Sequence, residues 1–97
     1  MSKTNAKSRR PIMALLDVLG RRWTLRVLWE LRAGPLSFRA LRSAADDVSP
    51  SVLNARLAEL REMGVVEAEA EGYQLTASGT ELAKTLLALN AWANRHA

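Results

Sequence analysis

The 97-residue chain contains no cysteine. That absence excludes disulfides, thiolate metal sites, cysteine nucleophiles and thiol switches together. Its single histidine, His96, is the penultimate residue, where fraying is expected to defeat any imidazole-centred site. No apolar run approaches the roughly 18 residues that a membrane span needs. The N-terminal stretch is polar and basic, without the apolar segment of a signal peptide. These two features predict a cytoplasmic protein with no membrane partner. A glycine-rich phosphate loop, a catalytic triad and a paired acid/base constellation are missing too, so neither an enzyme nor a bound cofactor is expected.

What is present is an ordinary globular composition, 48% hydrophobic and 25% charged, in a chain too short for a second core. The net charge of +4 conceals an asymmetry. Residues 1–42 hold ten basic side chains against Asp17 and Glu30, whereas residues 43–97 hold four basic against eight acidic. A basic half on a small domain is the footprint of a polyanion partner; the plainer reading is that the charge only maintains solubility.

Residues 1–10 show no apolar periodicity and read as a loose basic arm, leaving 11–97 as the folded domain. Pro11 opens a short helix that Gly20 stops, apolar on nearly every side. A second helix is expected from Trp23 to Ala33, ended by Gly34-Pro35. Ser37 caps a third, Phe38 to Ala45, and Asp46-Asp47 forms the turn after it. Ser49 and Pro50 start a fourth helix with a hydroxyl cap and a first-turn proline, running to Met63. At 100° per residue, Leu57 and Leu60 fall within about 40° of Leu53, a single narrow apolar stripe. Val65 to Ala70 alternates apolar and acidic residues as a half-buried strand, with Glu67, Glu69 and Glu71 on one face. Glu71-Gly72 is read as the turn, Tyr73-Gln74-Leu75 as the partner strand and Ser78 to Arg95 as the closing helix.

Two short helices across a tight turn, then a hairpin and a closing helix, predict a mainly α winged helix-turn-helix with a small β-hairpin. In that arrangement the fourth helix enters the major groove of double-stranded DNA. Its N-terminus and the hydroxyls of Ser49 and Ser51 suit phosphate, Asn54 suits a base edge, and Ala55 suits a thymine methyl. The plainer reading is a helix that merely packs.

The chain also resembles the HxlR-type bacterial transcription regulators. The resemblance rests on Arg10-Pro11-Ile12, Leu19-Gly20, Arg22-Trp23-Thr24-Leu25, Gly34-Pro35 with Phe38 and Leu41-Arg42. The run from Val48 to Leu60, Gly64-Val65-Val66, Tyr73-Gln74-Leu75-Thr76 and Gly79 extend it. It implies a homodimer joined through the N- and C-terminal helices and bound to an inverted-repeat operator. It also implies backbone contacts from Arg22 and Arg42, and base reading by the stretch Ser49, Pro50, Ser51, Asn54, Ala55 and Arg56.

The chain departs from the family pattern twice. Many members sense electrophiles through a cysteine just before the Pro-Ile pair; here Arg10 stands there, so thiol sensing is excluded and any small-molecule effector is of unknown kind. The wing is short and acidic, and like charge is expected to keep it clear of DNA. That wing is also the best argument for the alternative, a winged-helix module that binds protein without DNA. Asp46-Asp47 and the three wing glutamates read as solvated carboxylates, so no metal site is expected. Trp23, Trp29 and Trp92 read as core or interface packing in preference to a ligand pocket.

Overall fold

A computed structural model describes residues 10–97; residues 1–9, nearly all of the expected basic arm, lie outside the described residues. The order is α1 (Pro11–Leu19), α2 (Thr24–Leu31), α3 (Phe38–Ala44), α4 (Pro50–Glu62), β1 (Val66–Glu69), β2 (Gly72–Leu75) and α5 (Ala77–His96). This is a winged helix-turn-helix, with α3 and α4 as the helix pair and β1–β2 as the wing.

Local chemistry explains most of the boundaries. Pro11 occupies the first turn of α1, and the Gly20 N–H closes its end on Leu16 O at 2.8 Å. Ser37 and Ser49 accept hydrogen bonds from the Ala40 and Val52 N–H groups at 3.0 and 3.2 Å. Caps of this kind stabilise a helix by about 0.5–2 kcal/mol relative to alanine.

Two helix starts differ from expectation. Trp23 has φ 79°, a left-handed conformation, so α2 begins at Thr24 and ends at Leu31. The reversal after α1 forces it, because the Thr24 N–H reaches back to Arg21 O while Trp23 O accepts from Val27 N–H. At α5, Thr76 and not Ser78 is the start signal. Its Oγ1 accepts from Gly79 N–H at 3.0 Å and donates to Gly64 O at 2.6 Å, tying the helix to the end of α4.

The hairpin is antiparallel, with Val66 opposite Leu75 and Glu69 opposite Gly72. Ala70-Glu71 forms the turn, so Glu71 does not share a strand face with Glu67 and Glu69. Alternation also fails: Val66 is buried, Ala68 exposed and Glu69 half-buried. The period-2 signal came from composition; packing against α4 decides which side chains are covered. Leu36 pairs with Tyr73 on the other side of β2, its N–H and C=O exchanging bonds at 3.0 and 2.9 Å. Gly72 is required by that approach, since a Cβ there would overlap Leu36 O.

The core is a leucine-rich seam. Val27, Leu28 and Leu31 of α2 meet Leu41 of α3, Leu53, Leu57 and Leu60 of α4, and Val65, Val66 and Leu86. Leu53, Leu57 and Leu60 are the stripe expected of the fourth helix. Trp23 and Trp29 pack against this core, whereas Trp92 is 56% exposed and stacks on His96 with ring centroids 4.4 Å apart.

Buried Gly79 presses the first turn of α5 against the Val65 carbonyl, and an added Cβ would overlap that oxygen. Gly79→Ala should therefore destabilise the fold by about 1–3 kcal/mol, the usual magnitude for overpacking against a rigid neighbour. Urea denaturation measures it; an unchanged midpoint would mean that α5 shifts away at no cost.

Candidate nucleic-acid interface

The surface built around α4 begins at its first turn. Pro50 has no N–H, the Val52 N–H is taken by Ser49 Oγ and the Leu53 N–H by Ser49 O. The Ser51 N–H remains as the free donor of that turn among the described residues, beside the hydroxyls of Ser49 and Ser51, 3.4 Å apart. The N-terminus thus offers one main-chain donor and two hydroxyls, fewer main-chain donors than an uncapped helix would present.

Ser49, Pro50, Ser51 and Asn54 are all exposed, as is Ala58 one turn further on. No carboxylate interrupts the stretch from Ser49 to Ala58. Ala55 is half-buried and contributes less to the outer face than its sequence position suggests.

The arginines divide into held and free. Arg42 is half-buried, and its Nε donates to Val48 O at 2.6 Å, fixing the segment that leads into α4. Arg56 is turned to the flank. Its Nε lies 3.3 Å from Glu59 Oε1, a charge pairing out of line for a hydrogen bond, and its Nη1 reaches Arg22 O at 3.5 Å. Arg21 approaches the other Glu59 oxygen at 2.8 Å. Two guanidiniums therefore join α4 to the α1–α2 loop, Arg21 through Glu59 and Arg56 through Arg22 O. Arg22 is exposed, with its guanidinium 5.7 Å from the Trp23 ring centroid. Of the residues expected to contact DNA, Arg22, Ser49, Pro50, Ser51 and Asn54 are open to solvent, whereas Arg42 and Arg56 are partly committed to the protein.

Several participants were not anticipated. Arg26 forms bonds to Glu30, Asp46 and Ala44 O at 2.8, 3.0 and 2.7 Å. The Glu30 hydrogen bond first, and the Asp46 one second, hold its guanidinium above the ordinary arginine value. The i, i+4 spacing of Arg26 and Glu30 was visible in the sequence; the bonds to residues 18 and 20 positions away were not. Arg39 on α3 and Arg61 on α4 are exposed and carry no ion pair among the described residues.

Away from α4 the surface turns apolar. No residue of α1 is buried; Ile12 is 49% exposed and Leu16 50%. On α5, Leu89 is 59% exposed, and an open groove between α2 and α5 is lined by Leu25, Trp29, Leu86, Leu89 and Ala93. Among the described residues, no cluster of side chains suited to a metal ion occurs and no helix is long and apolar enough to cross a membrane.

Comparison with known proteins agrees with this geometry. The chain is 32% identical over 85 residues to the HTH-type transcriptional regulator YvaP of Bacillus subtilis, covering 80% of this chain and 79% of YvaP. The crystal structure of quinone-bound YodB from B. subtilis superposes with a TM-score of 0.79 at 30% identity, covering 87% of this chain and 96% of that one. A possible HxlR family transcriptional factor from Thermoplasma volcanium gives a TM-score of 0.79 at 25% identity, covering 89% and 84%. Residues 18–97 match the HxlR-like helix-turn-helix family, and the chain belongs to that family of transcription regulators.

Proposed function

We propose that the protein is a sequence-specific DNA-binding regulator that reads an inverted-repeat operator as a homodimer. The exposed face of Ser49, Pro50, Ser51, Asn54 and Ala58, on a stretch that holds no carboxylate, carries this reading. Asn54 has the donor and acceptor needed for a bidentate bond to adenine, and the Ser49 and Ser51 hydroxyls with the Ser51 N–H suit phosphate. Pro50 and Ala55 add surface without charge, Ala55 being sized for a thymine methyl. Arg22, which is exposed, is proposed to neutralise phosphate directly. Arg42 and Arg56 act from the flanks with the nitrogens that their internal bonds leave free.

The dimer is proposed to form through α1 and α5, whose apolar faces a chain this small cannot cover alone. With no cysteine in the chain, a thiol is not the sensing group, and an effector, if there is one, binds without covalent thiol chemistry. The folded unit of the proposal is 11–97, with the segment before it as a basic arm.

Light scattering at micromolar concentration should give the mass of a dimer; a monomer there would reject the pairing of α1 and α5. Selection from a random-sequence duplex pool should then yield a two-fold symmetric site. Selection of no sequence would favour the protein-binding alternative.

Charge contacts and base contacts should separate in mutants. Arg22→Ala should weaken binding to selected and scrambled duplexes alike, and reduce the slope of log affinity against log salt by about 0.9 for the phosphate lost. Asn54→Ala should instead relax preference at one base pair per half-site, worth roughly 1–3 kcal/mol for a bidentate contact. Identical behaviour of the two variants on both duplexes would refute these roles.

The acidic wing should lie clear of the duplex. Unit charges at about 4 Å interact by up to about 4 kcal/mol at an effective dielectric near 20, and solvent and salt reduce this several-fold. Replacing Glu67, Glu69 and Glu71 together by glutamine should therefore raise affinity modestly, by the same factor on every sequence. A large loss of specific binding would mean that the carboxylates touch bases.

A further inference from the structure

We propose that Arg26 is a positioning residue for DNA reading: from α2 it clamps the turn between α3 and α4 and so sets the pose of the recognition helix. The inference rests on the DNA-reading function proposed above. It adds a residue that touches no base or phosphate.

The turn has an uncommon backbone. Asp46 and Asp47 follow one another, each with φ 57°, a left-handed conformation that aspartate tolerates better than bulkier residues but that two consecutive non-glycine residues seldom share. Inside the turn, Asp47 N–H bonds Arg42 O at 2.9 Å and Val48 N–H bonds Ala45 O at 3.2 Å. Arg26 supplies the attachment from outside. Its Nη2 donates to Ala44 O, the carbonyl of the last residue of α3, where the helix end carries partial negative charge. Its Nη1 donates to Asp46, the first left-handed residue. Its Nε donates to Glu30, one turn along α2, which fixes the guanidinium plane. Three donors of one planar group thus tie α2, the end of α3 and the turn together. Lysine, with a single flexible ammonium, could not hold all three in one plane.

The consequence concerns specificity more than affinity. A base-edge hydrogen bond operates within about 2.7–3.2 Å, so a small rotation of α4 breaks it. Long arginine side chains follow a phosphate through the same rotation. Releasing the clamp should therefore lower binding to the selected operator while leaving binding to unrelated duplex nearly intact.

The test uses the full chain, the duplex selected by the wild-type protein and a scrambled duplex of equal length. Arg26→Met should reduce operator affinity by about tenfold or more, of the order expected for lost charge-assisted bonds, with scrambled-duplex affinity within about twofold. Arg26→Lys should recover part of the loss. Asp46→Asn discriminates most sharply, because the Asp46 side chain is 72% exposed and its replacement leaves the core intact. Removing a carboxylate near phosphates raises affinity for every duplex on charge alone, whereas a loosened turn lowers operator affinity selectively. The double variant should lose no more than Arg26→Met. A uniform gain from Asp46→Asn, or strict additivity in the double variant, would overturn the clamp.

If Arg26→Met fails to fold, Asp46→Asn alone decides by the same criterion. A wild-type protein that selects no sequence overturns the DNA-reading function itself. Amide exchange at Asp47 and Val48 then tests the clamp without DNA: faster exchange in Asp46→Asn supports it, and unchanged exchange overturns it.

Discussion

Val27, Leu28 and Leu31 form the face of α2 on which the rest of the molecule is assembled. Leu41 reaches it from α3, Leu53, Leu57 and Leu60 from α4, and Leu86 from α5. A fully buried leucine contributes about 1.5–3 kcal/mol relative to exposure, so a handful of such residues dominates the stability of a chain this small. The geometric consequence matters as much. With its apolar stripe committed inward, α4 must present Ser51, Asn54 and Ala58 outward, because 3.6 residues per turn leave no other face. The outer surface is the complement of the leucine seam.

Charge is then distributed over that frame in two populations. Arg21, Arg26, Arg32, Arg42 and Arg56 are each attached to a carboxylate, a carbonyl or a ring of the protein itself. The ion pairs among these, at Arg21, Arg26 and Arg56, lie at or near the surface and contribute little to stability individually, about 0–1 kcal/mol. Their geometry does more: Glu59, between Arg21 and Arg56, ties the loop after α1 to the flank of α4. Arg22, Arg39 and Arg61 stay exposed without an ion pair among the described residues. The basic half of the sequence therefore overstates the charge available to a polyanion, since much of it holds the helices in place.

How much of this was legible beforehand follows from the range of each signal. Pro11, Ser37, Ser49-Pro50 and Gly64 act within a few residues, and the helices they delimit were readable to within a residue or two. The stripe Leu53, Leu57, Leu60 and the openness of Ser49, Ser51 and Asn54 followed from helical periodicity alone. Trp23 did not: its left-handed backbone is imposed by the reversal after α1, against the preference of a bulky side chain. The start of α5 at Thr76 is not legible locally, because the Thr76 hydroxyl is held by Gly64 O, twelve residues earlier. The bridge of Leu36 to Tyr73 and the reach of Arg26 to Asp46 cross longer separations, which no local pattern encodes. The half-burial of Ala55 was not legible in the same way. An angle on a helical wheel sets the direction of a side chain but not what packs against it.

The wing shows how the same residues can serve the frame instead of the ligand. Tyr73 exchanges two main-chain bonds with Leu36, the segment just before α3, so the hairpin is a part of the helix-turn-helix base and not a free arm. At its root, Val65 and Val66 are buried, Thr76 N–H bonds Val65 O, and Gly79 packs against that same carbonyl. One carbonyl thus receives the start of α5, and the hairpin ties α4 to the helix that carries Leu89 and Trp92. A wing that had to follow a phosphate backbone would need length and positive charge; this one has a two-residue turn and three glutamates. Its construction is that of a strut between α4 and α5.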